Sequence, residues 1–188
     1  MLFSLVQILY WLALATWFGA VMFVAMAPPI ILRTVRESDP TLPHVLSVNL
    51  EGQHSLLLSQ SIVGELMAPL HRIELICSGI LLLAILGQWL VLHPRGVEIT
   101  LPLLRTALYV AATVLLIYDW RSVWPRMWKH RQEYLDHADE PDVANPALDQ
   151  FDRTQSTSLL ILQVTLGILL AMILFSANIR PSVIQFSQ

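Results

Sequence analysis

The sequence predicts an all-α fold: a bundle of four transmembrane helices, with a cytoplasmic amphipathic helix between the first and second spans. Composition is the first observation, because the 188-residue chain is 55% hydrophobic and only 13% charged. Its mean hydropathy is +0.61, whereas soluble domains are about one-quarter charged. The second observation is four apolar segments, each near the length of about 20 residues that crosses a bilayer. Residues 1–188 are therefore predicted to form one integral membrane domain.

The four predicted spans comprise residues 3–32, 70–92, 99–124 and 154–179. The first span has no basic residues before it and a longer apolar run than a signal peptide, so we expect it to be retained. Pro28 and Pro29 are expected to kink or end its helix near the membrane surface. Arg105 interrupts the third span near one end, where we expect its side chain to extend to the interface.

Basic residues predict the orientation of the chain. The segments around the first and third loops carry Arg33, Arg36, Arg72, Arg121, Arg126, Lys129, Arg131 and Arg153, against Arg95, Arg105 and Arg180 on the other side. Because cytoplasmic loops are enriched in Lys and Arg, both long loops are predicted to be cytoplasmic and both termini outside. We expect the membrane to be a bacterial inner membrane.

The two long loops differ in pattern. Residues 50–67 mix aliphatic and polar side chains at helical spacing, which predicts the amphipathic helix, and Pro69 is expected to separate it from the second span. Residues 136–150 are acidic and contain two prolines, so we predict a loop there. Asp149 or Asp152 is then expected to cap the fourth helix.

Four tryptophans are predicted to anchor the protein at the membrane interface. Trp120, Trp124 and Trp128 recur every four residues at the cytoplasmic end of the third span, and Trp89 lies at the outer end of the second. Amphipathic rings at headgroup level form such belts. An aromatic box for a ligand cation is the alternative, and it explains the spacing less well.

One helical face in the second span carries His71, Glu74 and Ser78, with Arg72 beside it. This face would suit a proton relay or a pair of metal ligands, as in metal-binding bundles. Such sites need a matching pair on another helix, and the sequence has no second Glu-x-x-His. We therefore favour a structural interpretation, in which His71 and Arg72 lie at headgroup level and Glu74 pairs with an arginine.

Polar residues also mark the ends of the third and fourth spans. Asp119 is expected to form a structural ion pair with Arg72 or Arg153. On the fourth helix, Asp152, Ser156, Gln163 and Gly167 fall near one stripe, with Gln155 beside it.

Small and amide residues at such positions let helices approach and form hydrogen bonds across their interface. The stripe is therefore predicted to pack against a complementary small face of the first helix near Trp17 and Gly19. The alternative is a solute path lined by Ser158, Gln163 and Thr165.

Several classes of function lack support in the sequence. The single cysteine, Cys77, excludes an internal disulfide and Cys-based metal sites. The net charge of −3 indicates no nucleic-acid partner. Intramembrane haem ligands would be histidines deep within a span. None of the six histidines is expected there, namely His44, His54, His71, His93, His130 and His137. No catalytic motif is present, so we predict no enzymatic activity, no cofactor and no metal site.

The chain resembles a known family in four segments taken in order: "WFGAVMFVAMAPPIIL", "LHRIELICSGILLLAIL", "WRSVWPRM" and "FDRTQSTSLLILQVTLGILL". Together they resemble the transmembrane protein 205-like membrane proteins of domain of unknown function 4149. The resemblance implies a four-helix membrane domain and brings no established activity. The family has a histidine near the position of Gln155, and its absence here argues against a metal or proton-relay role for this helix opening.

The sequence leaves three functions as hypotheses. The first is a non-enzymatic accessory subunit, whose partners are the lipid bilayer and either other membrane proteins or further copies of this chain. The second is a transporter or efflux component for a small solute or metal ion, with His71, Glu74, Asp119 and Asp152 as polar gates. The third is a redox or metal-binding membrane subunit.

Overall fold

The computed structural model describes residues 2–38, 54–92, 100–137 and 140–177. A π-helical turn, Asp119–Val123, joins the third and fourth of its five α-helices into one continuous rod, and the described residues contain no β-strand. The helices are α1 (Leu2–Glu37), α2 (His54–Leu92), α3 (Thr100–Tyr118), α4 (Trp124–Asp136) and α5 (Pro141–Ala177).

The all-α prediction is confirmed, and the protein is a multi-pass membrane protein. Four segments are long and apolar enough to cross a membrane, namely Ser4–Glu37, Leu58–Leu90, Thr100–Asp136 and Pro141–Ser176. At 1.5 Å per residue, rods of this length measure about 55 Å, whereas the hydrocarbon core of a bilayer is about 30 Å thick. Each rod therefore extends well beyond the hydrocarbon.

The rods run alternately up and down. Cross-helix hydrogen bonds give the directions. Gln7 bonds to Gln88 and Trp17 to Glu74 between α1 and α2. His71 bonds to Asp119 and Gln88 to Arg105 between α2 and the rod formed by α3, the π turn and α4. The packing of α5 against α1, α3 and α4 closes the bundle. We call the end that holds α4 and the start of α5 the charged end, and the opposite end the apolar end.

Helical periodicity builds the core. Buried side chains on α1 recur every three or four residues at Tyr10, Leu14, Trp17, Val21 and Val24, which is the spacing of one inward face. The other rods contribute similar stripes, while large apolar side chains such as Leu83 and Leu90 are exposed on the outside. Exposed apolar surface on every rod is what a lipid-facing bundle requires.

The predicted amphipathic helix is not a separate element. Residues 54–67 form the first part of α2, which continues through Pro69, and residues 50–53 lie outside the described residues. Likewise α1 continues through Pro28 and Pro29 to Glu37, instead of ending at these prolines. A proline removes one backbone hydrogen bond, and burial of neighbouring side chains such as Met67 and Leu70 supports the helix here.

The prediction of a loop over residues 136–150 is wrong from Pro141 onwards, and Asp149 and Asp152 lie inside α5 instead of capping it. Proline is favoured at the first helical position, because a backbone N–H there has no partner within the helix and its absence costs nothing. The carbonyl of Glu140 accepts the N–H groups of Val143 and Ala144. A second small core of Tyr134, Ala144 and Ala147 then packs α4 against α5 at their adjoining ends.

A few predictions fall outside the described residues. They concern residue 99 of the third predicted span, residues 178–179 of the fourth, and His44, His93, Arg95 and Arg180.

The closest approach between α2 and α4 generates a prediction about stability. A Cβ atom at Gly64 would lie 2.8 Å from Cζ2 of Trp128. Gly64→Ala should therefore lower the free energy of unfolding in detergent by about 1–3 kcal/mol, as overpacking does.

Gly167→Ala is the matched control, since no atom lies within 4 Å of the added Cβ. The helix propensity of alanine should leave this variant unchanged or stabilise it by up to about 1 kcal/mol. Equal effects at both glycines would contradict the packing of α2 on α4.

Candidate functional site

The bundle buries a glutamate in its core. Glu74 on α2 is only 4% exposed, and its Oε1 accepts a hydrogen bond of 3.0 Å from Nε1 of Trp17, which is fully buried on α1. An indole N–H can only donate a hydrogen bond, so the Glu74 oxygen that faces it acts as the acceptor. The sequence predicted an arginine partner for Glu74, and the structure places the Trp17 indole there instead.

A second acid lies in the same region of the core. His71 and Asp119 are 2% and 4% exposed, and a hydrogen bond of 3.0 Å joins His71 Nε2 to Asp119 Oδ2. Asp119 therefore pairs with a histidine, and not with Arg72 or Arg153 as predicted. Glu74 interacts electrostatically with both His71 and Asp119. We call Trp17, His71, Glu74 and Asp119 the acid–base cluster.

The π-helical turn positions Asp119. The N–H of Trp124 bonds to the carbonyl of Asp119, five residues earlier, instead of four. Pro125 accounts for the wider turn, because it lacks an N–H and its ring crowds the carbonyl four residues before it. Such π turns often occur at functional sites. Here the turn begins at the residue that pairs with His71.

Hydrogen-bonding capacity remains unused in the acid–base cluster. Among the described residues, His71 Nδ1 and Asp119 Oδ1 are buried without a hydrogen-bond partner. Buried polar atoms without partners are uncommon and costly. These two atoms could each hold or release a proton, or bind a water molecule, so the cluster has the chemistry of proton exchange.

An aromatic contact path links the acid–base cluster to the charged end. The ring of Trp124 stands edge-on to His71, with centroids 5.8 Å apart, and edge-on to Trp128 at 6.3 Å. Trp128 in turn lines a narrow cavity between α1, α2, α4 and α5. The cavity volume is about 30 Å³, which is enough for one or two water molecules.

The cavity wall is mostly apolar, with polar side chains from three helices. The polar residues are Gln60 from α2, Arg131 from α4, and Gln155 and Ser158 from α5. Arg131 donates to the hydroxyl of Ser61, and its guanidinium lies 5.0 Å from the ring centre of Trp128. The cavity therefore places a cation next to the aromatic path.

A separate polar chain crosses the bundle towards the apolar end. Arg105 is 3% exposed, donates to the Gln88 amide oxygen and lies 4.7 Å from the ring centre of Tyr10. Gln88 in turn donates to Gln7 at 3.0 Å, and the Tyr10 hydroxyl bonds to Ser176 at 2.8 Å. Arg105 does not extend to the interface as predicted, because these partners hold it in the core.

The structure brings together some of the polar candidates and separates others. His71, Glu74 and Asp119 meet in the acid–base cluster. Gln155 is half-buried in the wall of the cavity. The other three candidates, Arg72, Asp152 and Arg153, are exposed on the outside of the bundle.

The predicted packing stripe faces outwards. Trp17 is buried as expected, but Ser156 and Gln163 are exposed, and no atom lies within 4 Å of a Cβ built at Gly19 or Gly167. Within this chain the stripe does not pack α1 against α5. Ser158 and Thr165 are the buried polar residues of α5 instead.

The tryptophan belt is only partly present. Trp120 is exposed, whereas Trp124 and Trp128 turn inwards and bury their N–H groups without a partner among the described residues. A spacing of four places residues on one face only in an uninterrupted α-helix, and the π turn changes the register after Trp120. Trp89 is half-buried and donates to Thr106 at 3.1 Å.

Sequence reasoning missed the core position of Arg105 and the hydrogen-bond partner of Trp17. Arg105 was visible as the lone charge of an apolar segment, which marks a functional candidate by default. Trp17 gave no local signal of its bond to Glu74, since that contact joins residues 57 positions apart.

The core position of Arg105 predicts a coupled change in stability. Arg105→Met should lower the free energy of unfolding in detergent by about 1–3 kcal/mol, because Gln88 loses a hydrogen-bond donor in a buried site. Gln88→Leu alone should also be destabilising, since it removes the donor to Gln7. The double variant should lose less than the sum of the two single losses, because the bond between Arg105 and Gln88 is then counted once. Strictly additive effects in this double-mutant cycle would show that the two side chains do not interact.

The chain was compared with known proteins. No protein-family model, no curated protein and no solved structure matches it. Its class therefore rests on its own sequence and structure: this chain is an all-α, multi-pass membrane protein with four helices able to span a bilayer.

Proposed function

We propose that this protein is a proton-coupled transporter of a small solute. The observation that carries the proposal is the buried acid–base cluster, in which Glu74 has a Trp17 N–H donor and His71 pairs with Asp119. Ionisable side chains within membrane spans are costly and commonly mark ion or proton pathways. A structural pairing alone would not require two carboxyl groups and an imidazole in one part of the core.

Proton exchange at the acid–base cluster would change the charge of the core. A protonated Glu74 is neutral, whereas the ionised form carries a charge that the single Trp17 donor only partly stabilises. His71 and Asp119 interact electrostatically with it, so a proton gained at one group changes the energy of the others. Loss or gain of a proton would therefore favour different packings of the helices around it.

Access to the acid–base cluster differs between the two ends of the bundle. Towards the charged end, the cavity and the Trp128–Trp124 path lead to His71. Towards the apolar end, fully buried side chains fill the core, including Leu14, Leu81, Leu169 and Met172. Transport would require these apolar residues to separate in a second conformation, as in alternating access.

The membrane and orientation are part of the proposal. Most Arg and Lys residues lie near the charged end, so the positive-inside rule places that end in the cytoplasm and both termini outside. A bacterial inner membrane suits this arrangement. Membership of the family of domain of unknown function 4149 is likewise proposed on its four motifs, and it would add no activity.

Proton flux through reconstituted protein tests the proposal. Glu74→Gln removes the ionisable group and keeps the shape, so it should reduce proton uptake driven by a pH gradient at least tenfold. A pH-sensitive dye inside liposomes measures this uptake. Glu37→Gln is the matched control, since Glu37 is exposed at the end of α1 and, among the described residues, forms an ion pair with Arg33 alone. It should leave uptake unchanged.

Equal uptake in wild type, Glu74→Gln and protein-free liposomes would refute proton coupling. The fold of each variant is checked by its unfolding transition.

A second candidate function, an accessory subunit, is favoured by one observation. Gln163 lies in the apolar part of α5 with its side chain exposed on the outside of the bundle. An amide facing lipid gains a hydrogen bond when another helix covers it. Gly167 lies one turn further along the same outer face and would allow a close approach.

Purification in mild detergent tests this candidate. A partner bound through this face should co-elute in fixed proportion with wild type and be lost with Gln163→Leu. Val164→Leu, which changes a neighbouring exposed residue without removing a polar group, should retain it. A monomer without partners in all three samples would exclude the accessory function.

A further inference from the structure

Two arginines that lie against the interior of the bundle form no ion pair among the described residues. Arg131 lines the cavity at the charged end, and Arg105 lies in the core towards the apolar end. The Nε atoms of both are buried without a hydrogen-bond partner in the described parts of the chain. A cation without an acidic partner in such a site attracts an anion.

The surroundings of Arg131 hold few competing acidic groups. Its guanidinium donates to Ser61 and lies over Trp128. Glu65 interacts with it electrostatically but is exposed to solvent and forms no ion pair with it. Tyr134 and the polar cavity residues Gln60, Gln155 and Ser158 are neutral. Among the residues that line the cavity, Arg131 therefore carries the charge.

Residues that line the cavity carry donor groups without partners in the part of the chain that the structure describes. Besides Arg131 Nε, the indole Nε1 of Trp128 is buried without a partner among the described residues. The side chains of Gln60, Gln155 and Ser158 add further donors at the wall. The remaining wall is apolar, which strengthens the attraction between a cation and an anion.

Size and charge together define the ligand class. The volume of about 30 Å³ holds one or two waters, which favours a small solute over a bulky organic one. The single guanidinium matches one negative charge and repels metal cations. A halide or a carboxylate as small as formate meets both conditions.

We propose that this cavity binds a small monovalent anion, and that this anion is the solute moved together with protons. The second half rests on the proposed function, because it names the solute of that transport. Arg105 supports it independently: a second fixed positive charge, buried on the other side of the acid–base cluster, favours anions and disfavours cations along the core. Protons taken up at the cluster would balance the charge of the anion.

Binding at equilibrium tests the site. Calorimetric titration of the detergent-solubilised protein uses sodium chloride or sodium formate, with sodium gluconate replaced in step to hold the ionic strength constant. Wild type should give saturable binding. Arg131→Gln, which removes the charge and keeps a donor, should weaken binding at least tenfold, and Arg131→Lys should fall between the two.

Lys129→Gln is the matched control. Lys129 is an exposed cation on α4, lies outside the cavity, and its loss changes the net charge by the same amount. It should bind anions as wild type does. Equal weakening in Lys129→Gln and Arg131→Gln would show a general surface-charge effect and overturn the site.

Two further outcomes decide the proposal. No saturable binding to wild type would mean that the cavity holds water only, and the proposal would be wrong. If Arg131→Gln does not fold, Gln155→Met removes a polar wall group without changing charge, and it should weaken binding several-fold. Unchanged binding in that variant would overturn the site.

The binding and flux experiments test the anion site and the proposed transport independently. Titration requires no gradient, so anion binding by wild type with no proton flux would refute the proposed transport and leave the anion site standing. Proton flux that depends on Glu74 without anion binding would refute only the anion site. Chloride or formate accelerating proton uptake in wild type, and not in Arg131→Gln, would support both.

Discussion

The need to pair polar groups inside an apolar bundle sets the arrangement of this molecule. Apolar packing between helices is weakly directional when lipid is equally apolar outside, so hydrogen bonds across the interface determine register. Trp17 with Glu74 and Gln7 with Gln88 align α1 and α2 at two levels. Sliding either helix by one turn would break both contacts and leave a buried carboxyl group without its donor.

The same constraint extends to the third rod. His71 bonds to Asp119, while Ser78 bonds to the Tyr109 hydroxyl at 3.1 Å, so α2 and α3 are also held at two levels. The π turn before Pro125 then changes the direction of the side chains that follow it. As a result Trp124 packs against His71, and the helix that carries the acid also supplies the aromatic path to the cavity.

Charged and ionisable side chains lie at three levels along the core. Arg131 and Arg105 lie on either side of an acid–base cluster that contains two carboxyl groups and one imidazole. A core designed only for stability would more easily use apolar side chains, because replacing buried ion pairs by hydrophobic groups is often neutral or stabilising. The polar groups of the core set the register of the helices and also include the groups of the proposed proton exchange.

Composition and local periodicity determined the membrane class, the four spans and the shared face of His71 and Glu74, since these depend only on neighbouring residues. Tertiary structure alone decided the partners of these residues, because Trp17 and Asp119 are distant in the chain. It also decided which face points inwards. In a membrane both the core and the surroundings are apolar, so the pattern that placed Gln163 in a helix interface fits an outward position equally well. Tertiary packing also explains why Pro28, Pro69 and Pro146 lie inside helices. Each proline removes a backbone hydrogen bond, and packing along the rods offsets this loss.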